Sequence, residues 1–178
     1  MVLGLGMVIS SVVTLLGIWL LSHFYERDVR AFYAGSSGLI AGVAIGLTAD
    51  CFTSGRPVGT IAASGESGAE TAVITGLSVS MQSATLRMVV LGLSMIAAFR
   101  AWGIYGVSLS GVGLRSIPGV TLSMDAYGPI GDNAGGIAGM TCQHPRIRRV
   151  TDRLDAAGNT AAAIAKAFAV SATAAAAL

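Results

Sequence analysis

The chain has 178 residues, 53% of them hydrophobic, 11% charged and 6% aromatic, with a mean hydropathy of +0.72. A soluble domain carries about 25% charged residues, so this composition excludes an ordinary soluble fold, and the high hydropathy excludes disorder despite 24 glycines. Eleven cations against nine acids leave a net charge of +2, without the basic excess of a nucleic-acid-binding protein. What fits is an all-α, polytopic transmembrane bundle embedded in a lipid bilayer.

A membrane helix needs about 20 mainly apolar residues. Residues 1–22 are charge-free and predict the first span, followed by the polar stretch Glu26-Arg27-Asp28-Val29-Arg30. A second span is predicted over 32–52. There Gly38, Gly42 and Gly46 recur every four residues, which puts small residues on one face where lipid-embedded helices pack closely. Ser54-Gly55-Arg56-Pro57 ends it. The apolar region 65–100 is too long for one ordinary span, and its polar stretch 82–87 predicts a division into helices over 67–84 and 87–101. A fifth segment covers 102–140, with Pro118 and Pro129 expected to kink or interrupt it. A polar basic loop over 143–149 precedes a last helix over 150–178, for about six membrane helices in a single partial transmembrane domain over 1–178. Residue 1 placed outside puts Arg27, Arg30, Arg87, Arg146, Arg148, Arg149 and Arg153 on the cytoplasmic side, as the positive-inside rule favours. The chain stops inside an apolar helix without a capping signal after Lys166, as an internal piece of a longer protein would. Cys51 and Cys142 fit no metal or redox spacing and read as small packing residues, and His23 and His144 read as loop-edge residues.

The chemistry concentrates in residues 125–166. Asp125 and Asp132 are seven apart, so on a helix they share a face about 10 Å apart. Carboxylates inside a membrane are costly and mark function, although a loop with two solvated aspartates also fits Gly128, Pro129 and Gly131. Asp152, Asp155, Asn159, Ala162 and Lys166 follow at i, i+3, i+7, i+10 and i+14, one polar stripe on an apolar helix. Asp152 also suits a helix N-terminus, where the macrodipole favours negative charge. Lys166, the sole lysine, needs an anionic partner or a shifted pKa if buried. Carboxylate and amide oxygens with an ammonium suit Mg²⁺ and a phosphate; the same spacing fits an ion channel or transporter cavity.

At these residues the sequence resembles the membrane-bound, ion-translocating pyrophosphatases. Asp125-Ala-Tyr-Gly-Pro-Ile-Gly-Asp132-Asn133-Ala-Gly-Gly resembles that family's signature in its eleventh membrane helix, and Thr151-Asp-Arg-Leu-Asp155-Ala-Ala-Gly-Asn159-Thr160 through Lys166 the start of its twelfth. Weaker matches at 38–42, 56–62, 76–79 and 103–106 occur in the family's order. The chain is thus similar to helices seven to twelve of a sixteen-helix protein. The resemblance implies a homodimeric pump that cleaves pyrophosphate with Mg²⁺ on the cytoplasmic side and moves H⁺ or Na⁺. It implies that Asp132 and Asn159 bind Mg²⁺-pyrophosphate and that Asp125 and Lys166 lie in the same catalytic cavity; Asp155, on the same stripe, is read as a further metal-binding carboxylate. Ala162 and Ala165 match positions associated with potassium dependence, and alanine at 162 resembles the K⁺-dependent subgroup. The sequence departs from the family's pattern at Gly139, where Glu is usual, at Arg87, where Pro is usual, and at Ala161 and Ala167. Two further acidic motifs of the family are absent, so the resemblance implies that this chain alone is not catalytically competent. A small non-enzymatic ion-binding or channel-like membrane protein, and an inactive relic of a pyrophosphatase, are the other readings.

Overall fold

The computed structural model describes residues 2–116, 119 and 126–177, with the side chains of residues 2–4 left aside. Asp125 and Pro118, both singled out from the sequence, lie outside the described residues. The described chain is helical: α1 (Val2–Leu21), a π-helical turn (Ser22–Glu26), α2 (Val29–Ser54), α3 (Arg56–Gly65), α4 (Ala69–Arg115), α5 (Tyr127–Met140) and α6 (Pro145–Ala177). Four of the helical stretches among the described residues are long and apolar enough to cross a membrane, over Leu5–Glu26, Val29–Gly65, Ala69–Arg115 and Pro145–Ala177.

α4 is continuous by hydrogen bonding but not straight. Trp102 (φ −152°, ψ 34°) and Gly103 (φ 59°, ψ −147°) leave helical geometry, and the positive φ is one that glycine adopts at no steric cost. The chain reverses there. Ser94 and Ser110, sixteen positions apart, bring their Oγ atoms within 3.1 Å, whereas a straight helix would separate them by about 24 Å. α4 is therefore a hairpin of two helical arms, 69–101 and 104–115.

This corrects the expected division of the region. No break occurs at 82–87: the first arm runs unbroken through Arg87, whose Nε donates to the Ser83 carbonyl at 3.0 Å. The stretch is polar but contains neither Gly nor Pro, and polar side chains alone do not interrupt a helix. The expected boundary at residue 102 coincides with the reversal. Arg87 therefore occupies a helix interior rather than a loop, which removes it from the charge asymmetry. Glu26–Arg30 and the α4 turn do share one end of the bundle. Tyr105 Oη donates to Glu26 Oε1 at 2.8 Å, and the Arg30 guanidinium sits 5.2 Å over the Trp102 ring.

The last helix also begins earlier than expected. Residues 145–149 are not a loop but the first turns of α6. Pro145 suits the first helical position because it lacks the N–H that would go unpaired there. His144 caps it: its carbonyl accepts from Ile147 N at 2.8 Å and its Nδ1 from Arg146 N at 3.2 Å. Pro129 likewise lies in the first turn of α5 and kinks nothing.

α2 is the hub. It packs against both arms of α4, with α1 on one side and α6 on another. The glycine stripe permits this, as Gly38, Gly42 and Gly46 are all buried. A Cβ at Gly38 would overlap the Ser110 carbonyl, and one at Gly46 would come within 2.7 Å of Phe168 Cζ. Around these contacts Leu39, Ile45, Leu91, Met95, Leu114, Ile164 and Phe168 form the core. The rest of the apolar surface, including most of α1, faces outward, as in helices meant for lipid or for neighbouring helices. Cys51 and Cys142 are exposed rather than packed, because both stand at element ends.

Candidate functional site

α5 and α6 form an antiparallel-connected pair joined by a four-residue turn over 141–144. Their seam is lined by glycine. A Cβ at Gly131 would reach 3.2 Å from the Leu154 carbonyl, one at Gly158 would reach 2.8 Å from the Gly128 Cα, and one at Gly135 would touch the Asp155 Cβ at 3.9 Å. The chain carries Gly-x-x-Gly-x-x-x-Gly over 128–135 so that the two backbones can meet. Asp132 directly follows Gly131 in sequence, and Asp155 borders the seam at Gly135.

Asp155 is half-buried beside the seam and Asn159 lies exposed one turn on. Asn159 Nδ2 donates to Asp155 Oδ1 at 2.9 Å, so the predicted stripe holds a bonded carboxylate–amide pair. Asp132 is exposed. Ala162 stands against the same seam, its Cβ 3.8 Å from where a Gly128 side chain would begin, whereas Ala165 is buried.

Two expected members stand elsewhere. Asp152 is not at a helix terminus, since α6 begins seven residues earlier; its carboxylate pairs with Arg148 Nε at 2.8 Å, one turn back. Both partners are half-exposed, so the pair contributes little stability. Lys166 lies about 10 Å further along α6 than Asn159. It is exposed and lines a cavity of about 380 Å³ with Arg87, Met88 and Val170.

Among the described residues no three His, Cys, Asp or Glu side chains converge on one point. Mg²⁺ does not require such a cage. It is held through one or two carboxylates, keeps several waters, and takes the remaining oxygens from substrate phosphates. The side-chain oxygens of Asp132, Asp155 and Asn159 fit that donor set in kind, and the Asn159–Asp155 bond holds two of these side chains together.

A family profile described as inorganic H⁺ pyrophosphatase matches residues 1–178. The chain belongs to this H⁺-pyrophosphatase family. It is 38% identical to a protein of Clostridium tetani named as a putative K⁺-stimulated pyrophosphate-energized sodium pump, over 99% of this chain and 28% of that protein. It is 36% identical to a K⁺-insensitive pyrophosphate-energized proton pump of Methanosarcina mazei, over 95% of this chain and 27% of that protein. It is 34% identical to a K⁺-stimulated pyrophosphate-energized sodium pump of Thermotoga maritima, over 94% of this chain and 25% of that protein. The chain thus spans about a quarter of the length of the curated relatives it matches.

Arg87, like 145–149, was expected in a loop and lies in a helix. Its signal was available: the 82–87 stretch lacks a helix breaker, and Arg87 stands at i+4 from Ser83, where a long side chain reaches back to the preceding turn.

Proposed function

We propose that residues 1–178 form a single partial transmembrane domain of a homodimeric membrane pump. The pump hydrolyses inorganic pyrophosphate to phosphate on its cytoplasmic side and couples this to movement of H⁺ or Na⁺. The observation that carries the proposal is the bonded Asp155–Asn159 pair on α6, set across a glycine seam from Asp132, in a chain of the H⁺-pyrophosphatase family.

In this reading Asp132, Asp155 and Asn159 hold Mg²⁺-pyrophosphate from one wall of the site. Bound Mg²⁺ supplies charge neutralisation at the phosphoryl oxygens, which is most of what phosphoryl transfer needs. The part played by this chain is positional. The glycine seam fixes Asp132 relative to α6, and the Asn159 amide orients the Asp155 carboxylate by donating to one of its oxygens. Asp125, which lies outside the described residues, is assigned to the same catalytic site by the family resemblance alone, and Lys166 contributes an ammonium further along α6. Ala162 leaves room at the seam for K⁺, with Ala165 behind it; the relatives named above include both K⁺-stimulated and K⁺-insensitive pumps.

The test is Asp155→Asn and Asn159→Ala in the full-length parent. Either change should raise the Mg²⁺ concentration needed for half-maximal pyrophosphate hydrolysis by roughly 10–100-fold. An unchanged Mg²⁺ dependence in both variants would remove the pair from the site.

A further inference from the structure

The tight turn between α1 and α2 carries four charged residues in five positions, and three of them are spent within the protein. Glu26 accepts from Tyr105 Oη at 2.8 Å, and Asp28 is paired with Arg30 at 2.6 Å. The Arg30 guanidinium also lies over Trp102 at 5.2 Å. Arg27 alone makes no side-chain hydrogen bond or ion pair among the described residues, and its side chain is exposed.

Arg27 is held in place by its backbone. It sits in the left-handed region (φ 53°, ψ 29°), closing the π-helical turn by donating its N–H to the Ser22 carbonyl. Glycine adopts that conformation freely and arginine does not. The left-handed conformation of Arg27 ends the helical turn and fixes the direction in which the chain enters α2.

That residue borders a cavity of about 470 Å³, whose other walls include Trp19, His23, Val29, Phe32 and Tyr33. The His23 ring stacks on Trp19 with centroids 5.4 Å apart. The cavity lies at the end of the most apolar span of the chain, where Trp and Tyr mark the level of lipid headgroups.

We propose that this cavity binds an anionic phospholipid, with the headgroup phosphate on the Arg27 guanidinium and the upper acyl chain along Trp19, Val29 and Phe32. Charge decides the class of headgroup: one unpaired cation faces the cavity and both nearby acids are already bonded. The apolar and aromatic walls favour an amphiphile over free phosphate. The site stands apart from the α5–α6 seam, so its test is independent of pyrophosphate hydrolysis.

The test uses the 178-residue chain in nanodiscs with Trp102→Phe, which leaves Trp19 as the sole tryptophan. Its fluorescence is quenched with brominated phosphatidylglycerol or brominated phosphatidylcholine. Phosphatidylglycerol should be preferred at Trp19 by about five-fold, the effect of one basic residue near a charged lipid surface. Arg27→Gln should abolish the preference. So should Arg27→Gly, which relieves the backbone strain and therefore cannot act by unfolding the turn. Arg56→Gln, on another element, should leave it unchanged. Equal quenching by the two lipids, no quenching by either, or a preference that survives Arg27→Gly would overturn the proposal. Loss of the preference on adding inorganic phosphate would assign the cavity to the free anion instead.

Discussion

At the α4 reversal a single residue carries the geometry. Gly103 has φ 59° and ψ −147°, a combination almost confined to glycine. Gly103→Ala should cost about 1–3 kcal/mol, seen as a lower unfolding midpoint in detergent with helix content retained. Asp28 is a second such residue, and its effect depends on pH. Its Oδ1 accepts from Arg30 N at 2.9 Å and so caps α2, while the Arg30 guanidinium bonds the same carboxylate. The hydrogen bonds from Arg30 hold the carboxyl below its ordinary value of 3.8. A carboxylate lowered in the folded state adds stability that is fully present above the unfolded value and is lost as pH falls through the folded one. Protection factors over 29–33, with the pH dependence of intrinsic exchange divided out, should therefore fall as pH drops below 3.8, and in Asp28→Ala they should already be lower at neutral pH with that acid-induced fall gone. Exchange that is equally slow in Asp28→Ala at neutral pH would show that the cap does not hold the helix start.

Between elements, glycine decides how close helices come. A side chain at Gly38 would meet backbone of the second α4 arm rather than a movable side-chain tip. Gly38→Val should therefore cost at least the roughly 1–3 kcal/mol of an overpacked core, measured by thermal unfolding in detergent. Gly59, with open space around it, should accept alanine without loss. The stripe at 38, 42 and 46 was legible in the sequence because its four-residue period has one structural meaning in a lipid-embedded helix. The reversal at 102–103 was legible only as a boundary, since a glycine there does not state how far the chain turns. The polar stretch at 82–87 misled for a physical reason: polarity was weighed above the absence of Gly and Pro, yet a helix can carry an exposed Gln82 and a half-buried Arg87 whose Nε bonds the Ser83 carbonyl one turn back. The start of α6 was missed because Pro145 read as a loop residue, although a first helical turn favours proline. At the site, the stripe on α6 was legible from spacing. The glycine seam between α5 and α6 was not, because periodicity places residues on one helix and not across two.

On the scale of the whole molecule, a chain that spans about a quarter of its pump relatives is proposed to supply one wall of a site. Pyrophosphate carries several negative charges, and among the described residues no three acids gather to hold its metals. The isolated 178-residue chain, reconstituted in liposomes, should release no phosphate above background with Mg²⁺ and pyrophosphate present. Turnover by this chain alone would mean that a complete site exists where only a wall has been recognised.

The central claim is that Asp132 and the α6 pair belong to a pyrophosphate-driven pump. It is tested most directly in sealed vesicles bearing the full-length parent, with phosphate release and H⁺ or Na⁺ uptake recorded together after adding Mg²⁺-pyrophosphate. The parent should show both, and Asp132→Asn should insert normally and lose both by at least the roughly 10–100-fold that a metal-site partner commands. Hydrolysis and uptake at the unmodified rate in Asp132→Asn, or a parent that leaves pyrophosphate intact, would contradict it.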